Sequence, residues 1–249
     1  MTYCVGLMVD EGLVFLSDTR TNAGIDNIAR FRKMFTWEVP GERSLVLMTA
    51  GNLATSQAVI SMLEEGIEAG TSEEAAAMLG DNTLPSLLKA PNMFRSAEIV
   101  GEAMVAVQKR FRKSLEQMNE AGGSTMILGG QRKGGTPRLF LIYPEGNCIE
   151  ATEDTPFLQI GEHKYGKPIL DRVIATDTPL AEARKAALLS MDSTLRSNLS
   201  VGMPLDLAVL PTDACTLSER RRIEADDEDF HTLSENWSAA LKGAFYGID

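Results

Sequence analysis

The order of strand-forming and helix-forming stretches is the feature that most restricts the fold of this chain. Strand composition opens the chain, helical periods follow, strands return after Gly123, and two helices separate these from the last strands and a short final helix. Turn residues between neighbouring strands are typical of hairpins. The strict strand–helix alternation of a doubly wound parallel sheet is absent. The order therefore predicts an α+β fold in which antiparallel sheets are covered by pairs of helices.

The boundaries follow from local patterns. Residues with strand composition, bounded by turn residues, predict strands at 2–9, 13–16, 31–37, 44–49, 124–128, 139–143, 157–160, 204–210 and 217–223, with a polar loop at 19–27. Helical spacing predicts helices ending at Gly70, starting at 71–72, and spanning 96–119, 165–173 and 180–198. No repeat or low-complexity linker divides the chain, so residues 1–249 are predicted to form one domain.

Charge and hydropathy exclude several classes of protein. The net charge of −11 argues against a surface for nucleic acid or anionic membranes, because phosphate binding needs clustered Lys and Arg. No apolar run approaches the roughly 18 residues that span a bilayer. The first residues also lack the basic start and apolar stretch of a signal peptide. We therefore expect a cytoplasmic protein that binds neither nucleic acid nor membranes.

The residue types that most enzymes use are scarce. The two histidines, His163 and His231, lie far from any nucleophile-elbow sequence, which disfavours a Ser-His-Asp or Cys-His mechanism. Cys4, Cys148 and Cys215 are odd in number and widely spaced, so they are interpreted as small buried hydrophobic residues. No spacing of Cys, His or carboxylates is typical of a metal site. We expect neither a metal nor an organic cofactor.

The start of the chain offers a different chemistry. Thr2 follows Met1, and removal of Met1 would leave a hydroxyl and a free α-amine on adjacent carbons. An α-amine has a reference pKa of roughly 7.7–8.0, so a useful fraction is the free base near neutral pH. It can accept the hydroxyl proton, which makes one residue both nucleophile and base. A threonine at position two is unremarkable by itself.

Two charged residues strengthen the case for Thr2 as a nucleophile. Asp18 ends the first predicted hairpin, and Lys33 lies in the strand predicted to follow. A buried lysine near Thr2 would lower the pKa of its hydroxyl and amine, and an adjacent carboxylate would keep that lysine charged. Spacing alone fits a surface ion pair better, since such pairs are common. Both alternatives remain open at this level.

Longer segments carry a resemblance. The chain contains MTYCVGL at 1–7, GLVF at 12–15, SDTRTNAG at 17–24, FRKM at 31–34 and SMDSTLRSNLSVG at 190–202. With these segments it resembles, over essentially its whole length, Anbu, the bacterial ancestral β-subunit branch of proteasome-type proteases. The resemblance implies a four-layer αββα sandwich of the N-terminal-nucleophile hydrolase type.

The resemblance also assigns site residues. It places Thr2, Asp18 and Lys33 at the positions of the catalytic threonine, aspartate and lysine. Gly51 matches the glycine whose N–H serves as oxyanion-hole donor, where charge develops in the transition state. Ser124 resembles the serine that contacts the terminal amine, and Ser200 matches a further supporting serine.

One departure concerns the supporting residues. Proteasome β subunits carry Arg-Asp-x-x-Ser-Gly, whereas this chain has RSNLSV at 196–201. The supporting aspartate is missing at that register unless Asp192 replaces it. Those β subunits also carry a propeptide, whereas only Met1 precedes Thr2 in this sequence. Amine activation is therefore expected to differ from that in the proteasome.

The sequence thus predicts a threonine amidohydrolase or peptidase. It would act on a peptide or protein substrate and assemble with copies of itself into a ring or ring-like oligomer. Two alternatives remain: a hydrolase of a small or modified amide, and a non-catalytic scaffold subunit that forms rings.

Overall fold

The computed structural model describes residues 2–22, 28–80, 83–118 and 123–248. Its strands are β1 Tyr3–Val9, β2 Gly12–Asp18, β3 Arg20–Asn22, β4 Ile28–Arg30, β5 Met34–Val39, β6 Arg43–Gly51, β7 Ser124–Arg132, β8 Arg138–Ile142, β9 Cys148–Glu150, β10 Phe157–Gly161, β11 Leu205–Pro211 and β12 Glu219–Ile223. Its α-helices are α1 Leu53–Ala69, α2 Glu73–Leu79, α3 Met93–Met118, α4 Lys167–Val173, α5 Leu180–Ser197 and α6 Glu228–Tyr246.

The described strands form two five-stranded antiparallel sheets and a small ribbon. The first sheet has the order β10-β1-β2-β11-β12, and the second has the order β5-β6-β7-β8-β9. Apolar residues of both sheets, including Phe15, Val46 and Ile127, pack in a core between them. Helices α4, α5 and α6 cover the outer face of the first sheet, and α1 and α3 cover that of the second. The predicted α+β, four-layer αββα sandwich is confirmed.

Strand β1 is apolar on both of its faces because each face packs in a core. Side chains alternate along a strand, so Tyr3, Val5 and Leu7 join the core under α5, whereas Cys4 joins the core between the sheets. Both faces are covered, and the strand reads as a continuous apolar run. Strand β1 also pairs with a neighbour on each side, which places its first residues inside the sandwich.

Several predicted boundaries were wrong, including the following three. The polar loop predicted at 19–27 contains β3, which pairs with β4 in a two-stranded ribbon; residues 23–27 lie outside the described residues. The strand predicted from 31 begins at Met34, because the chain leaves that ribbon where the Phe31 N–H donates to the Thr19 carbonyl. The C-terminal helix is not short but has 19 residues, since Asp227 caps it and acidic residues occupy its first turn.

The predicted helices correspond to α1 to α5, and their starts follow from capping. The Asn52 side chain accepts a hydrogen bond from the Thr55 N–H at the start of α1, and Ser72 caps α2 in the same way. Both residue types are among the preferred N-caps. Among the described helices none has the length and apolarity required to cross a membrane.

Candidate active site

The carboxylate of Asp18 lies at the centre of a buried hydrogen-bond network at the end of β2. Its Oδ1 accepts from the Lys33 ammonium at 2.7 Å and from the Tyr3 N–H at 3.1 Å. Its Oδ2 accepts from the backbone N–H groups of Arg20 and Gly202, each at 3.2 Å. All four partners donate, so the arrangement fits an ionised carboxylate, which only accepts.

The Lys33–Asp18 ion pair is removed from solvent. Lys33 is 4% exposed and Asp18 is fully buried. Burial raises the pKa of Asp18, and the Lys33 charge and the backbone donors of Tyr3 and Gly202 oppose that rise. The interpretation as a surface ion pair, which spacing favoured, is therefore wrong. An ion pair this deep is costly to desolvate, and such pairs often mark functional sites.

Lys33 reaches this point from the start of β5. The Thr49 N–H of β6 donates to the Lys33 carbonyl at 2.9 Å, which aligns the residue with the second sheet. The Lys33 ammonium also donates to the Arg20 carbonyl at 2.6 Å. The lysine therefore bridges the ribbon and the first sheet beside the first residues of β1.

Thr2 precedes β1 at the same end of the sheet. Tyr3, its neighbour in sequence, donates its N–H to Asp18, and the Thr2 carbonyl accepts from the Glu162 N–H at 2.6 Å. Gly161 has φ +81°, and a Cβ built on it would lie 1.9 Å from the Thr2 carbonyl oxygen. Thr2 is thus held between the end of β2 and the end of β10, with 9% of its surface exposed.

Sequence reasoning missed both Gly161 and Glu162. They pack on Thr2 only because β10 pairs with β1, with Tyr3 opposite Gly161. An isoleucine-glycine sequence at a strand end is an ordinary turn signal. The close approach of two backbones requires glycine here, and nothing local in the sequence indicates it.

Gly51, the last residue of β6, lies opposite Ser124, the first residue of β7. Gly51 ends β6 with φ +112°, and a Cβ there would lie 2.5 Å from the Gly123 carbonyl oxygen. The Ser124 hydroxyl donates to the Asn52 carbonyl and shares a hydrogen bond with the Ser56 hydroxyl, both at 3.0 Å. These contacts fix the start of α1 directly after Gly51. The role of Ser124 toward the terminal amine stays a prediction.

Ser200 lies on the loop between α5 and β11, which crosses the Asp18 network. The Ser200 N–H donates to the Asn198 side chain at 2.9 Å, and two residues later the Gly202 N–H donates to Asp18. The Arg20 guanidinium holds the same loop through the Leu199 carbonyl at 2.8 Å. Ser200 therefore lies on the loop that contacts the Asp18 network. Its supporting role stays a prediction.

Asp192 has a different use. Its carboxylate accepts from the Ser234 hydroxyl of α6 at 2.6 Å and from the Arg196 guanidinium at 3.1 Å. It therefore joins α6 to α5 in the outer helical layer. These contacts with Arg196 and Ser234 do not support Asp192 as the replacement for the missing aspartate.

Cys4 is a further nucleophilic side chain near the site. Its side chain is fully buried, its Sγ lies 3.8 Å from the Thr49 carbonyl oxygen, and burial raises the pKa of the thiol well above its usual range. Thiols react as thiolates, so Cys4 is unreactive at neutral pH. Within the described residues, no group of three or more His, Cys, Asp or Glu is arranged to hold a metal ion.

The protein has two antiparallel sheets between helical layers, and β1 begins beside a buried Lys–Asp pair. This fold and site place it in the class of proteasome β-subunit-like proteins. Comparison with solved structures agrees. Anbu from Hyphomicrobium sp. strain MC1 is 51% identical (TM-score 0.85, covering 99% of this chain and 98% of that one). Anbu from Yersinia bercovieri is 43% identical (TM-score 0.86, 99% and 97%).

A third structure, the helical assembly of the Anbu complex from Pseudomonas aeruginosa, is 48% identical (TM-score 0.89, covering 99% of this chain and 97% of that one). At such identity over the full length, the chain belongs to the Anbu family of ancestral β-subunits. No family model matches the chain, and no curated protein matches it.

Proposed function

We propose that this protein is an N-terminal-nucleophile amidohydrolase whose nucleophile is Thr2, freed by removal of Met1. The observation that carries the proposal is the buried Lys33–Asp18 pair, which the Tyr3 N–H joins to the first residues of β1. A cation held out of water beside a hydroxyl lowers the pKa of that hydroxyl. The network therefore suits an activated threonine.

The proposed reaction has two steps. The Thr2 hydroxyl attacks the amide carbonyl while the α-amine takes its proton, and the amine then passes that proton to the leaving nitrogen. This breaks the C–N bond and leaves an ester on Thr2, which water hydrolyses with the same amine as base. Lys33 tunes the hydroxyl and amine, and Asp18 keeps Lys33 in place.

Gly51 is the proposed donor to the oxyanion. Gly51 is the last residue of β6 and directly precedes the Asn52 cap of α1, where free N–H groups and the helix dipole favour negative charge. The serines Ser124 and Ser200 are proposed to support the terminal amine and the loop around it. No cofactor is part of this proposal.

The alternatives differ in substrate and in activity. A peptide or protein substrate follows from family membership, and a small or modified amide would use the same chemistry. A scaffold subunit would gain little from a buried ion pair, because its desolvation penalty can exceed its Coulombic gain and an apolar pair would pack as well. The buried pair therefore favours an enzyme over a scaffold.

A peptide epoxyketone tests the nucleophile. We expect the protein without Met1 to react twice, through the Thr2 hydroxyl and through its amine, and to form a six-membered morpholine ring. A form that retains Met1 should not form this ring, because its Thr2 nitrogen is in a peptide bond. Several inhibitor side chains are compared, and mass spectrometry of the N-terminal peptide locates the adduct.

Two controls accompany that experiment. Intact mass shows whether Met1 has been removed before treatment, and Thr2→Ala should form no ring. Covalent labelling at any other residue, with loss of activity, would show that Thr2 is not the nucleophile.

Self-association is proposed as well. The Pseudomonas aeruginosa relative is described as a helical assembly, and this chain exposes large apolar side chains on two separate helices. Met78 on α2 and Phe245 and Tyr246 on α6 are each more than two-thirds exposed. Burial of such side chains between copies would remove apolar surface from water. We expect an oligomer of at least six subunits, open or closed, by light scattering coupled to size exclusion; a monomer at micromolar concentration would contradict this.

A further inference from the structure

Glu162 is the charged residue placed next to Thr2 by β10. Its N–H donates to the Thr2 carbonyl at 2.6 Å, so the two residues have a fixed relative position. Its side chain is half-buried, and its Oε2 accepts a hydrogen bond from the Asn198 amide at 3.1 Å. Both the backbone and the carboxylate of Glu162 are therefore held at this end of the sheet.

Asn198 connects this carboxylate to the loop over the site. Its Oδ1 accepts from the Ser200 N–H at 2.9 Å, and Gly202 on the same loop donates to Asp18. One loop thus holds two carboxylates, Glu162 through Asn198 and Asp18 through Gly202. The peptide group between Thr2 and Tyr3 is bonded to both residues: its carbonyl accepts from the Glu162 N–H, and its N–H donates to the Asp18 carboxylate.

We infer that Glu162, fixed by Asn198, is a positioning residue for Thr2 and takes the place of the supporting aspartate that RSNLSV at 196–201 lacks. The inference rests on the proposed function. In that reaction the α-amine of Thr2 becomes an ammonium when it takes the hydroxyl proton. A neighbouring carboxylate stabilises that positive charge, and a fixed carbonyl keeps the terminal residue aligned for attack.

Other charged groups near Thr2 do not replace Glu162 in this role. The described charged and titratable side chains on the neighbouring elements are Tyr3 and Cys4 on β1, Asp18 on β2, Arg20 on β3, Lys33 before β5, and Glu162 and His163 after β10. Burial raises the pKa of both Tyr3 and Cys4, so neither carries a negative charge at neutral pH. The Asp18 charge is paired with Lys33, and Arg20 holds the Leu199 carbonyl. The loop at 198–204 has no titratable side chain. Among these described side chains, Glu162 provides a carboxylate that is bonded to Asn198, whereas the Asp18 carboxylate is paired with Lys33.

Four variants test the pair. Glu162→Gln removes the negative charge and keeps the shape of the side chain. Asn198→Ala removes the amide that donates to Glu162, and Asn198→Asp places two carboxylates next to each other so that they repel. The double variant Glu162→Gln with Asn198→Asp exchanges donor and acceptor. Its new amide can donate to the new carboxylate, whose second oxygen can still accept from the Ser200 N–H. The carboxylate then sits one side chain away from its original place.

Hydrolysis of a panel of peptidyl aminocoumarin amides gives the readout. We expect each single variant to lower kcat about tenfold with little change in KM, and the double variant to recover to within about threefold of wild type. Removing the carboxylate should lower the pKa of the Thr2 amine, so Glu162→Gln should move the acid limb of the pH profile down by about half a unit. A purely structural role would not move that limb.

Controls separate the possible failures. Glu153→Gln makes the same chemical change on an exposed carboxylate elsewhere and should match wild type. Wild-type protein no more active on the panel than Thr2→Ala would contradict the proposed function itself. Activity that depends on Thr2 but is unchanged in Glu162→Gln and Asn198→Asp would overturn the inference alone. A double variant no better than Asn198→Asp would also overturn it.

Discussion

Lys33→Met is expected to abolish hydrolysis, with kcat/KM falling by about 10³-fold or more. The change keeps an unbranched side chain of similar length but removes the charge that tunes the pKa of the Thr2 hydroxyl and amine. A loss of this size is typical when a group that controls proton transfer is removed. It also leaves the Asp18 carboxylate buried without its cation. We therefore expect the free energy of unfolding to fall by about 3–5 kcal/mol. Denaturant unfolding and hydrolysis kinetics measure the two effects.

The pH dependence of this variant follows from the direction of the Asp18 shift. Burial raises the pKa of Asp18 in the folded protein, and loss of Lys33 removes the largest opposing effect. A carboxyl whose pKa is higher folded than unfolded binds more protons when folded, so stability falls as pH rises through that range. The stability deficit of Lys33→Met should therefore shrink as pH is lowered from 8 to 5. A deficit independent of pH would contradict the buried pair.

A second change separates stability from catalysis at this pair. Lys33→Met combined with Asp18→Asn removes both charges. The asparagine amide is neutral, so no unpaired charge remains buried. This double variant should regain part of the lost stability and remain inactive. Lys109→Met, on the exposed face of α3, should leave both quantities unchanged. An active double variant would remove the ion pair from the mechanism.

Gly161→Ala is expected to displace Thr2 directly. The new Cβ would lie 1.9 Å from the Thr2 carbonyl oxygen, a backbone atom at the start of β1, and φ is +81°. Overpacking of this kind costs about 1–3 kcal/mol beyond the roughly 1–2 kcal/mol of a left-handed alanine. Misplacement of a reacting group by about 1 Å lowers the rate about 10²-fold. Unfolding by denaturant and the rate of hydrolysis measure these effects.

Gly134→Ala is the matched control. Gly134 has φ +75° in the turn between β7 and β8, and nothing lies within 4 Å of a Cβ built there. In this variant the free energy of unfolding should fall only by the cost of a left-handed alanine, and activity should be unchanged. Equal losses in the two variants would show that contact with Thr2 is not what requires glycine at 161.

Much of the fold follows from local patterns. The run of strand-forming apolar residues in β1 and the helical period and cap of α1 are encoded in short stretches, and such patterns predicted the order of the layers. The ribbon of β3 and β4 was missed because its short polar strands carry little apolar signal. The start of the C-terminal helix was obscured by acidic residues that, as cap and first turn, in fact stabilise it.

The candidate site divides in the same way. By itself the sequence determined which residue types were available: the threonine after Met1, the carboxylate ending the first hairpin and the lysine in the next predicted strand. Only the tertiary structure decided that Lys33 and Asp18 form a buried pair, because burial depends on layers built from distant segments. It alone placed Glu162 and Gly161 against Thr2. That contact comes from the pairing of β10 with β1, and strand pairing between residues so far apart leaves no mark in the local period of either strand.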